Sequence, residues 1–364
     1  PPPPPPPPPP PFFFFQTHHG KPDPLWSRGL GDVYKRQNGY SAMGGQTLHP
    51  YGRKILDTGG SSSGSGVSTT SNLAAASLGS ETSGSILSPS SANSLVGMKP
   101  TIGNVSRAGI VPISSTLDTA GPMTKFVIDN ILIYNAINDF DPLDDYSVEN
   151  YDIRLEEVID SKLEEYTIGY YKSFYERDSL YKNAIDFLIE NGVELQVIDA
   201  PQIRLEGFAK ILDEDMRYDL RSYLFFYGSK NLKVEDISSI IKHNEMDSIE
   251  RAPYGQGIFK KIIRDTMSIN DFEDLKFELM TKGNEFFDIP MDKYNLDAVL
   301  SINNYHAGYA AMAHNPCLTV PMKIRKNNEP AGLTIIAKSF QEQKLYEIGY
   351  FFEKNYMGRI PPKN

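Results

Sequence analysis

The chain has 364 residues, of which 40% are hydrophobic and 23% are charged. This composition supplies enough apolar material for a packed core, and it excludes wholesale disorder, a collagen-like fibre and a disulfide mini-protein. A net charge of −10 argues against a nucleic-acid partner, because an acidic surface does not track a phosphate backbone. Its single cysteine, Cys317, cannot form an internal disulfide, and no apolar run of about 18 residues predicts a membrane span. We therefore expect a cytoplasmic protein that binds neither nucleic acid nor membrane.

The segment 1–37 differs from the rest of the chain. It opens with Pro1–Pro11 and Phe12–Phe15, and it ends in Asp32–Gln37, which resembles translated vector or adapter sequence. Poly-proline forms an extended helix without internal hydrogen bonds, so a proline-rich ligand is the alternative interpretation. We predict a disordered, artefactual leader over 1–37 and a folded domain over 38–364.

Residues 38 to about 135 are rich in glycine and serine. Between residues 58 and 98 the single charged residue is Glu81, so a Gly/Ser linker is one explanation. The stretch nevertheless contains apolar groups such as Leu73–Ala76 and Leu95–Met98, which a solvated linker would lack. We therefore predict that this segment packs closely inside a core.

The central and C-terminal regions alternate between strand and helix patterns. Thr167–Tyr171 and 193–198 are typical of short strands, and between them apolar residues recur at helical spacing up to the stop signal Asn191–Gly192. Strand, helix and strand in this order indicate a βαβ unit, in which helices cover a sheet. The predicted helical stripe consists of Leu180, Ala184, Ile185, Leu188 and Ile189. Three apolar runs and a closing helix follow, at 297–300, 318–321, 333–336 and Gln341–Asn355.

The glycine- and serine-rich loop Gly59–Gly66 suggests two kinds of chemistry. Nucleotide binding is disfavoured, because a P-loop needs lysine where Ser65 stands and the Rossmann glycine spacing is not met. Gly60–Gly64 fits the G-x-S-x-G nucleophile elbow of α/β-hydrolases, with Ser62 as nucleophile. That elbow needs a preceding strand, and Arg53–Asp57 offers only two adjacent apolar residues.

Four further sequence segments follow this loop, and they narrow the range of proteins that the chain resembles. They are Gly79–Ile86, Val96–Thr101, Ser106–Pro112 and Asp118–Met123. Together with the loop they resemble the amidase signature family, and weaker similarity extends the resemblance over roughly 40–357. The resemblance implies an α/β fold with a central mixed β-sheet that is covered on both faces by α-helices.

The resemblance also implies hydrolysis of a carboxylic amide C–N bond through a serine acyl-enzyme, with a small-molecule amide as substrate and without cofactor or metal. The family's nucleophile corresponds to Ser85 and its cis-serine to Ser61, which lies 24 positions earlier (85 − 61). A serine hydroxyl is a weak nucleophile at neutral pH, so Ser85 needs a base within reach, and Ser61 can relay the proton but cannot keep it. Backbone N–H groups form the family's oxyanion hole, which corresponds here to Thr82, Ser83, Gly84 and Ser85.

The family's final proton acceptor is a lysine about 75 residues before the cis-serine, activated as a general base. Counting back from Ser61 reaches no such lysine, because Lys21, Lys35 and Lys54 all lie nearer. Lys99 falls in the family's G-x-K-P motif, where we expect a structural role. We therefore expect an amidase domain that is incomplete at its N-terminus, lacks its catalytic lysine and has little activity.

Several features bear on the choice among related functions. Leu87 stands where many family members carry arginine, which leaves the substrate preference open. Asn38–Thr47 and Asp215–Leu224 resemble stand-alone amidases. The alternatives are a glutaminase like the A subunit of glutamyl-tRNA(Gln) amidotransferase, which works inside a complex, and an inactive fragment. The sequence names neither the amide nor the oligomeric state, and a homo-oligomer stays open.

Histidines and aromatic clusters offer weaker signals. His306 or His314 could serve a Ser–His hydrolase, although ordinary hydrogen-bonded histidines are commoner. No H-E-x-x-H or paired-cysteine spacing indicates a metal site. Three aromatic clusters could line an apolar substrate channel, but we predict core packing for them: Tyr170–Tyr171, Phe174–Tyr175 and Phe225–Tyr227.

Overall fold

The structure is a computed structural model that describes residues 38–41, 44–229 and 231–363. The predicted leader 1–37 lies outside the described residues. The strands are β1 (Tyr40–Ser41), β2 (Gly45–Gln46), β3 (Ser77–Glu81), β4 (Val96–Lys99), β5 (Thr119–Thr124), β6 (Thr167–Tyr171), β7 (Glu194–Ile198), β8 (Ala298–Ile302), β9 (Cys317–Ile324) and β10 (Pro330–Ile336).

Helices connect most of these strands. The α-helices are α1 (Ser63–Thr70), α2 (Leu87–Ala92), α3 (Val127–Ile137), α4 (Leu155–Asp160), α5 (Lys172–Arg177), α6 (Ser179–Glu190), α7 (Phe208–Tyr227), α8 (Ile237–Glu245), α9 (Ser248–Arg251), α10 (Gly257–Arg264), α11 (Ile269–Tyr294), α12 (Ala307–Met312) and α13 (Glu342–Tyr356). Within the described ranges, none of these helices is long and apolar enough to cross a membrane.

Eight strands form one mixed sheet in the order β3-β5-β4-β9-β10-β8-β6-β7. Strand β6 pairs in parallel with β7 and β8, and the remaining neighbours pair antiparallel. The parallel β6–α6–β7 arrangement confirms the predicted βαβ unit. Its helix buries Ala184, Ile185 and Leu188 of the expected stripe. Leu180 is half-buried against the same core, and Ile189 is 50% exposed.

Helices cover both faces of the sheet because strand residues alternate between two cores. In β8, Ala298 and Leu300 join the core that packs against α3, α6 and α13. Val299, between them, joins the second core, with side chains from α2, α11 and α12. This two-layer burial confirms the predicted α/β fold with a helix-covered mixed sheet.

The part of the glycine- and serine-rich segment from Ile86 to Met98 packs inside the protein, as predicted, and the linker interpretation is wrong for it. The prediction fails for the apolar group Leu73–Ala76, in which Leu73 is 80% exposed. Ile86, Leu87, Leu95, Val96 and Met98 are fully buried. Small side chains let α2 lie directly against β4, β9 and β10.

One edge of the sheet is covered by serine hydroxyls. Strand β3 is the edge strand, and α1 packs beside it. Ser62 Oγ donates to the Ser80 carbonyl and accepts from the Ser80 N–H, both at 3.1 Å. Ser65 Oγ donates to the carbonyl of Leu78 at 2.7 Å. The loop that carries Ser61 is thereby attached to the sheet.

Candidate active site

Two serine-bearing segments meet beside this edge. The first is the loop that precedes α1, in which the Gly60–Ser61 peptide bond is cis. The second is the turn between β3 and α2, which carries Ser85. Ser62 N–H donates to the Ser85 carbonyl oxygen at 3.2 Å, so the backbone joins the two segments. Ser61 and Ser85 are both half-buried and retain accessible surface. In the described part of the chain, their hydroxyls do not hydrogen-bond to each other.

Glycine at position 59 allows the first segment to approach the second. Gly59 has a φ of +67°, and a Cβ on it would lie 2.7 Å from the Pro89 Cα at the start of α2. An L side chain would therefore be both strained and obstructed there. This contact fixes the loop before α1 against the helix that follows the turn of Ser85.

Glu81 organises the turn that carries Ser85. Its carboxylate accepts N–H groups from Gly84 and Ile86, each at 2.7 Å, and from Leu87 at 2.9 Å. Glu81 is only 1% exposed, and this burial raises the pKa of its carboxyl above the ordinary value, opposed by the three N–H donors. Our sequence analysis missed this role, although Glu81 stood out as the single charge in its segment.

The Gly84 contact changes the expected oxyanion hole. Because the Gly84 N–H already donates to Glu81, it is not free to bind a substrate oxygen in this structure. Of the predicted set, the amides of Thr82, Ser83 and Ser85 do not donate to the Glu81 carboxylate and remain candidates for the oxyanion hole. Glycine remains necessary at this position, since its φ is +95° and a Cβ would lie 2.8 Å from Asn304 Nδ2.

A second buried carboxylate supports the same turn from the other side. The Thr82 hydroxyl donates to Asp118 Oδ1. Asp118 Oδ2 accepts the N–H groups of Ile113 and Ser114 at 2.7 and 2.9 Å. Burial raises the pKa of Asp118 to about 6. Asp118 thus connects the turn of Ser85 to the loop 113–116.

Helix α7 holds this loop with two more carboxylates. The Ser114 hydroxyl donates to Asp215 Oδ2, and Ser115 N–H donates to Asp219 Oδ2 at 2.6 Å. Burial, together with the nearby Asp215 charge, raises the pKa of Asp219 to about 6. These contacts give a physical role to the motif 215–224.

The raised pKa of Asp219 predicts a specific pH dependence of stability. Its folded-state pKa of about 6 lies above its ordinary value of 3.8, so between these values the folded chain holds the proton more tightly than the unfolded chain. This contribution favours folding at low pH and is lost as the pH rises through 6. In Asp219→Asn, the free energy of unfolding relative to wild type should therefore increase by about 1–2 kcal/mol between acidic and neutral pH. Urea unfolding of both proteins measures this difference, and a constant difference would contradict it.

Lys99 and Cys317 face each other on β4 and β9. The Lys99 Nζ is buried and donates to the Asn315 carbonyl at 2.8 Å. Burial lowers the pKa of Lys99 and raises that of Cys317 to about 12. The exposed Lys54 lies in the loop before Ser61.

The Cys317 thiol should resist modification while the chain is folded, because a buried, protonated thiol is a poor nucleophile. We expect less than one tenth of the chains to react with a thiol-reactive disulfide reagent at neutral pH, against complete reaction in denaturant, as a rough bound from the raised pKa. Absorbance of the released thiolate gives both values. Fast reaction of the native protein would show that this strand opens locally.

The two histidines are poorly suited to a Ser–His mechanism. His306 Nδ1 lies 2.9 Å from the Ser301 hydroxyl, within a cluster of aromatic rings that includes Tyr171 and Phe286. Burial lowers the pKa of His306 to about 3 and that of His314 to about 4. In the described ranges neither ring hydrogen-bonds to a serine of the two joined segments.

The α/β-hydrolase elbow does not fit this structure either. The Ser62 hydroxyl is occupied by Ser80, and the described residues 50–60 form turns rather than the strand that an elbow requires.

The aromatic clusters divide between core and surface. Tyr171 is buried, as predicted. The prediction of core packing is wrong for Phe225–Tyr227 at the end of α7, where Phe225 and Phe226 are 79% and 75% exposed. The buried stripe of α7 contains Met216, Leu220, Tyr223 and Leu224, so the next positions turn towards solvent.

The Amidase family model matches residues 34–251, beginning slightly before the predicted boundary at 38. A probable amidase of Arabidopsis thaliana is 30% identical over 355 residues, which cover 90% of this chain and 65% of that protein. The A subunit of the glutamyl-tRNA(Gln) amidotransferase of Staphylococcus epidermidis is 27% identical, with 86% of this chain and 72% of that protein covered. The chain therefore spans about two thirds of the length of the plant relative.

Two solved structures share the fold. An amidase family protein from Bacillus anthracis has a TM-score of 0.84 and 31% identity, covering 91% of this chain and 67% of the other. The native peptide amidase of Stenotrophomonas maltophilia has a TM-score of 0.82 and 26% identity, covering 94% and 74%. The helix-covered sheet and its motifs thus define an amidase-signature protein. The chain belongs to the Amidase family.

Proposed function

We propose that this chain hydrolyses a carboxylic amide through an acyl-enzyme on Ser85. The observation that carries the proposal is the backbone hydrogen bond that joins the segments of Ser61 and Ser85, beside a turn held by Glu81. Membership of the Amidase family and similarity to a peptide amidase support it. A serine nucleophile needs a neighbouring group that accepts its proton, and Ser61 is the candidate for this role beside Ser85.

The proposed reaction proceeds through acylation of Ser85 and hydrolysis of the resulting ester. The Ser85 oxygen attacks the amide carbon while its proton passes to the Ser61 oxygen and the Ser61 hydroxyl proton passes on to the amide nitrogen, and the carbonyl oxygen gains negative charge. The amides of Thr82, Ser83 and Ser85 would stabilise that charge, and one such donor is typically worth about 10²- to 10³-fold in rate. The C–N bond breaks and the amine leaves with the proton that Ser61 released. Water then attacks the ester on Ser85, which releases the carboxylic acid and returns a proton to the Ser85 oxygen. For the proton transfer during acylation, the Ser61 and Ser85 hydroxyls must rotate towards each other. Such a rearrangement is common, because catalytic hydrogen bonds often tighten only when substrate binds.

Among the described residues, no lysine hydrogen-bonds to Ser61. Lys99 donates to a backbone carbonyl, and Lys54 is exposed. We therefore expect slow acylation, because a general base typically contributes about 10²- to 10⁴-fold.

A small external amine should accelerate this acylation. We expect methylamine, at a pH near its own pKa, to raise the rate of Ser85 phosphonylation by a fluorophosphonate about tenfold or more, because the free base can take the proton from Ser61. Intact-mass spectrometry gives the rate. Tetramethylammonium chloride is the matched control, since it has no basic nitrogen. Fast labelling that methylamine leaves unchanged would show that the chain already contains a base.

The substrate class separates this proposal from its runner-up. Similarity to the amidotransferase protein of S. epidermidis favours a glutaminase that acts within a complex. We expect ammonia release from C-terminally amidated peptides by the isolated chain in the presence of methylamine. Release from glutamine alone would favour the glutaminase instead.

A further inference from the structure

A cleft of about 280 Å³ opens between the loop 113–116, the end of α7 and the segment 143–146. Its walls combine carboxylates with aromatic rings. We name it the acidic aromatic cleft, and its defining residues are Arg107, Asp145, Tyr146, Asp219, Tyr223 and Tyr227.

The single cation of these six residues is already paired. The Arg107 guanidinium donates to both oxygens of Asp144, at 2.9 and 2.6 Å, and to the Ser115 carbonyl. It also stacks 4.4 Å from the ring centroid of Tyr146. Arg107 is therefore poorly placed to bind an anionic ligand, and Asp144 is neutralised by the same contact.

Negative charge is left over in the cleft. The Asp219 carboxylate accepts the Ser115 N–H, but within the described ranges it forms no ion pair with a lysine or arginine. The exposed Asp145 also forms no ion pair there. A carboxylate beside a partly enclosed volume gives that volume a negative potential.

The aromatic walls favour the same kind of ligand. Tyr223 and Tyr227 lie with ring centroids 5.2 Å apart, and Tyr227 is 45% exposed at the cleft. The faces of aromatic rings carry partial negative charge and attract organic cations. Carboxylate and ring faces together select an ammonium group over a neutral or anionic one.

The cleft shares a wall with the candidate active site. Asp118 lines the cleft, and it also accepts the hydroxyl of Thr82 in the turn that carries Ser85. A ligand in the cleft would therefore lie one side chain away from this turn.

We propose that the acidic aromatic cleft binds an ammonium group of the substrate, so that this chain prefers amides that carry a basic amine. The ammonium lies between the Asp219 carboxylate and the ring face of Tyr227. The preference for an amide rests on the proposed function, whereas binding of the cation does not.

Direct binding to the full chain tests the cleft without catalysis. The probes are phenethylammonium and its neutral counterpart 2-phenylethanol, compared by isothermal titration calorimetry. We expect the ammonium to bind about tenfold or more tightly than the alcohol. Equal affinities of the two probes would overturn the inference.

Two variants locate the binding. Asp219→Asn keeps an acceptor for the Ser115 N–H but removes the charge, and it should weaken phenethylammonium about tenfold without affecting the alcohol. Tyr227→Leu keeps apolar volume but removes a ring face, and it should weaken the ammonium about threefold or more. Asp160→Asn, an exposed carboxylate on α4, is the matched control and should change nothing. Unchanged affinity in both cleft variants would overturn the proposal.

Labelling of Ser85 distinguishes this failure from failure of the proposed function. A fluorophosphonate with an ammonium tail should label Ser85 faster than a neutral one, and Asp219→Asn should remove the difference. Loss of the preference with intact labelling would contradict the cleft alone. Absence of any labelling at Ser85, with tight ammonium binding, would contradict the hydrolase alone.

Discussion

Replacing Ser85 by alanine is expected to abolish covalent labelling by a fluorophosphonate and all amide hydrolysis above background. Ser62, the other candidate nucleophile, is poorly placed to substitute for it, because its hydroxyl is occupied by Ser80. Removal of a catalytic nucleophile typically costs about 10⁴- to 10⁶-fold in rate. Peptide mapping of the labelled protein, with methylamine present, should place the adduct on Ser85.

Ser61→Ala and Ser62→Ala complete this experiment. Ser61→Ala should reduce the labelling rate by about 10²-fold or more, because it removes the first proton acceptor. Ser62→Ala should leave an intact nucleophile, although it removes a contact to β3. An adduct on Ser62 would restore the α/β-hydrolase interpretation and refute the assignment of Ser85.

Glu81→Gln is expected to disturb the turn of Ser85 more than any other change of a side chain that does not react. Glutamine offers one carbonyl oxygen where the carboxylate accepts from Gly84, Ile86 and Leu87, and its NH₂ group faces another donor. Each buried N–H that loses its partner costs about 1–3 kcal/mol. We expect the free energy of unfolding to fall by about 2–4 kcal/mol and labelling of Ser85 to slow about tenfold or more.

The matched control is Glu156→Gln, which makes the same chemical change at an exposed position in the first turn of α4. It should change stability by no more than about 0.5 kcal/mol. Urea unfolding and labelling under conditions where each protein is folded separate stability from geometry. If Glu81→Gln matched this control in both measurements, the turn would not depend on the carboxylate.

Much of the architecture could be predicted because local periodicity is a short-range signal. The strands at 167–171, 298–302 and 330–336 coincide with apolar runs in the sequence. The assignment of Ser61 and Ser85 rests on the resemblance of two motifs to the amidase signature family. The support of the turn could not be predicted, because Thr82 and Asp118 meet across 36 positions and Ser115 and Asp219 across 104. Periodicity carries no information about which distant polar groups pair.

The exposed aromatics at the end of α7 show a different failure. Aromatic residues are usually buried, and that preference led to the wrong expectation for Phe225 and Phe226. The helical spacing of Met216, Leu220, Tyr223 and Leu224 already pointed the next two side chains away from the core. The position of a residue around the helix axis therefore predicts its burial here better than its residue type does.

The serines that cover β3 make the two edges of the sheet unequal. Side-chain oxygens already occupy the outward N–H of Ser80 and the outward carbonyls of Leu78 and Ser80. A strand from another molecule would have to displace three intramolecular bonds before it could add there. The loop that carries Ser61 thus occupies the hydrogen-bonding groups that a neighbouring strand would use. Addition of a strand from another molecule at this edge would therefore also displace the candidate proton relay.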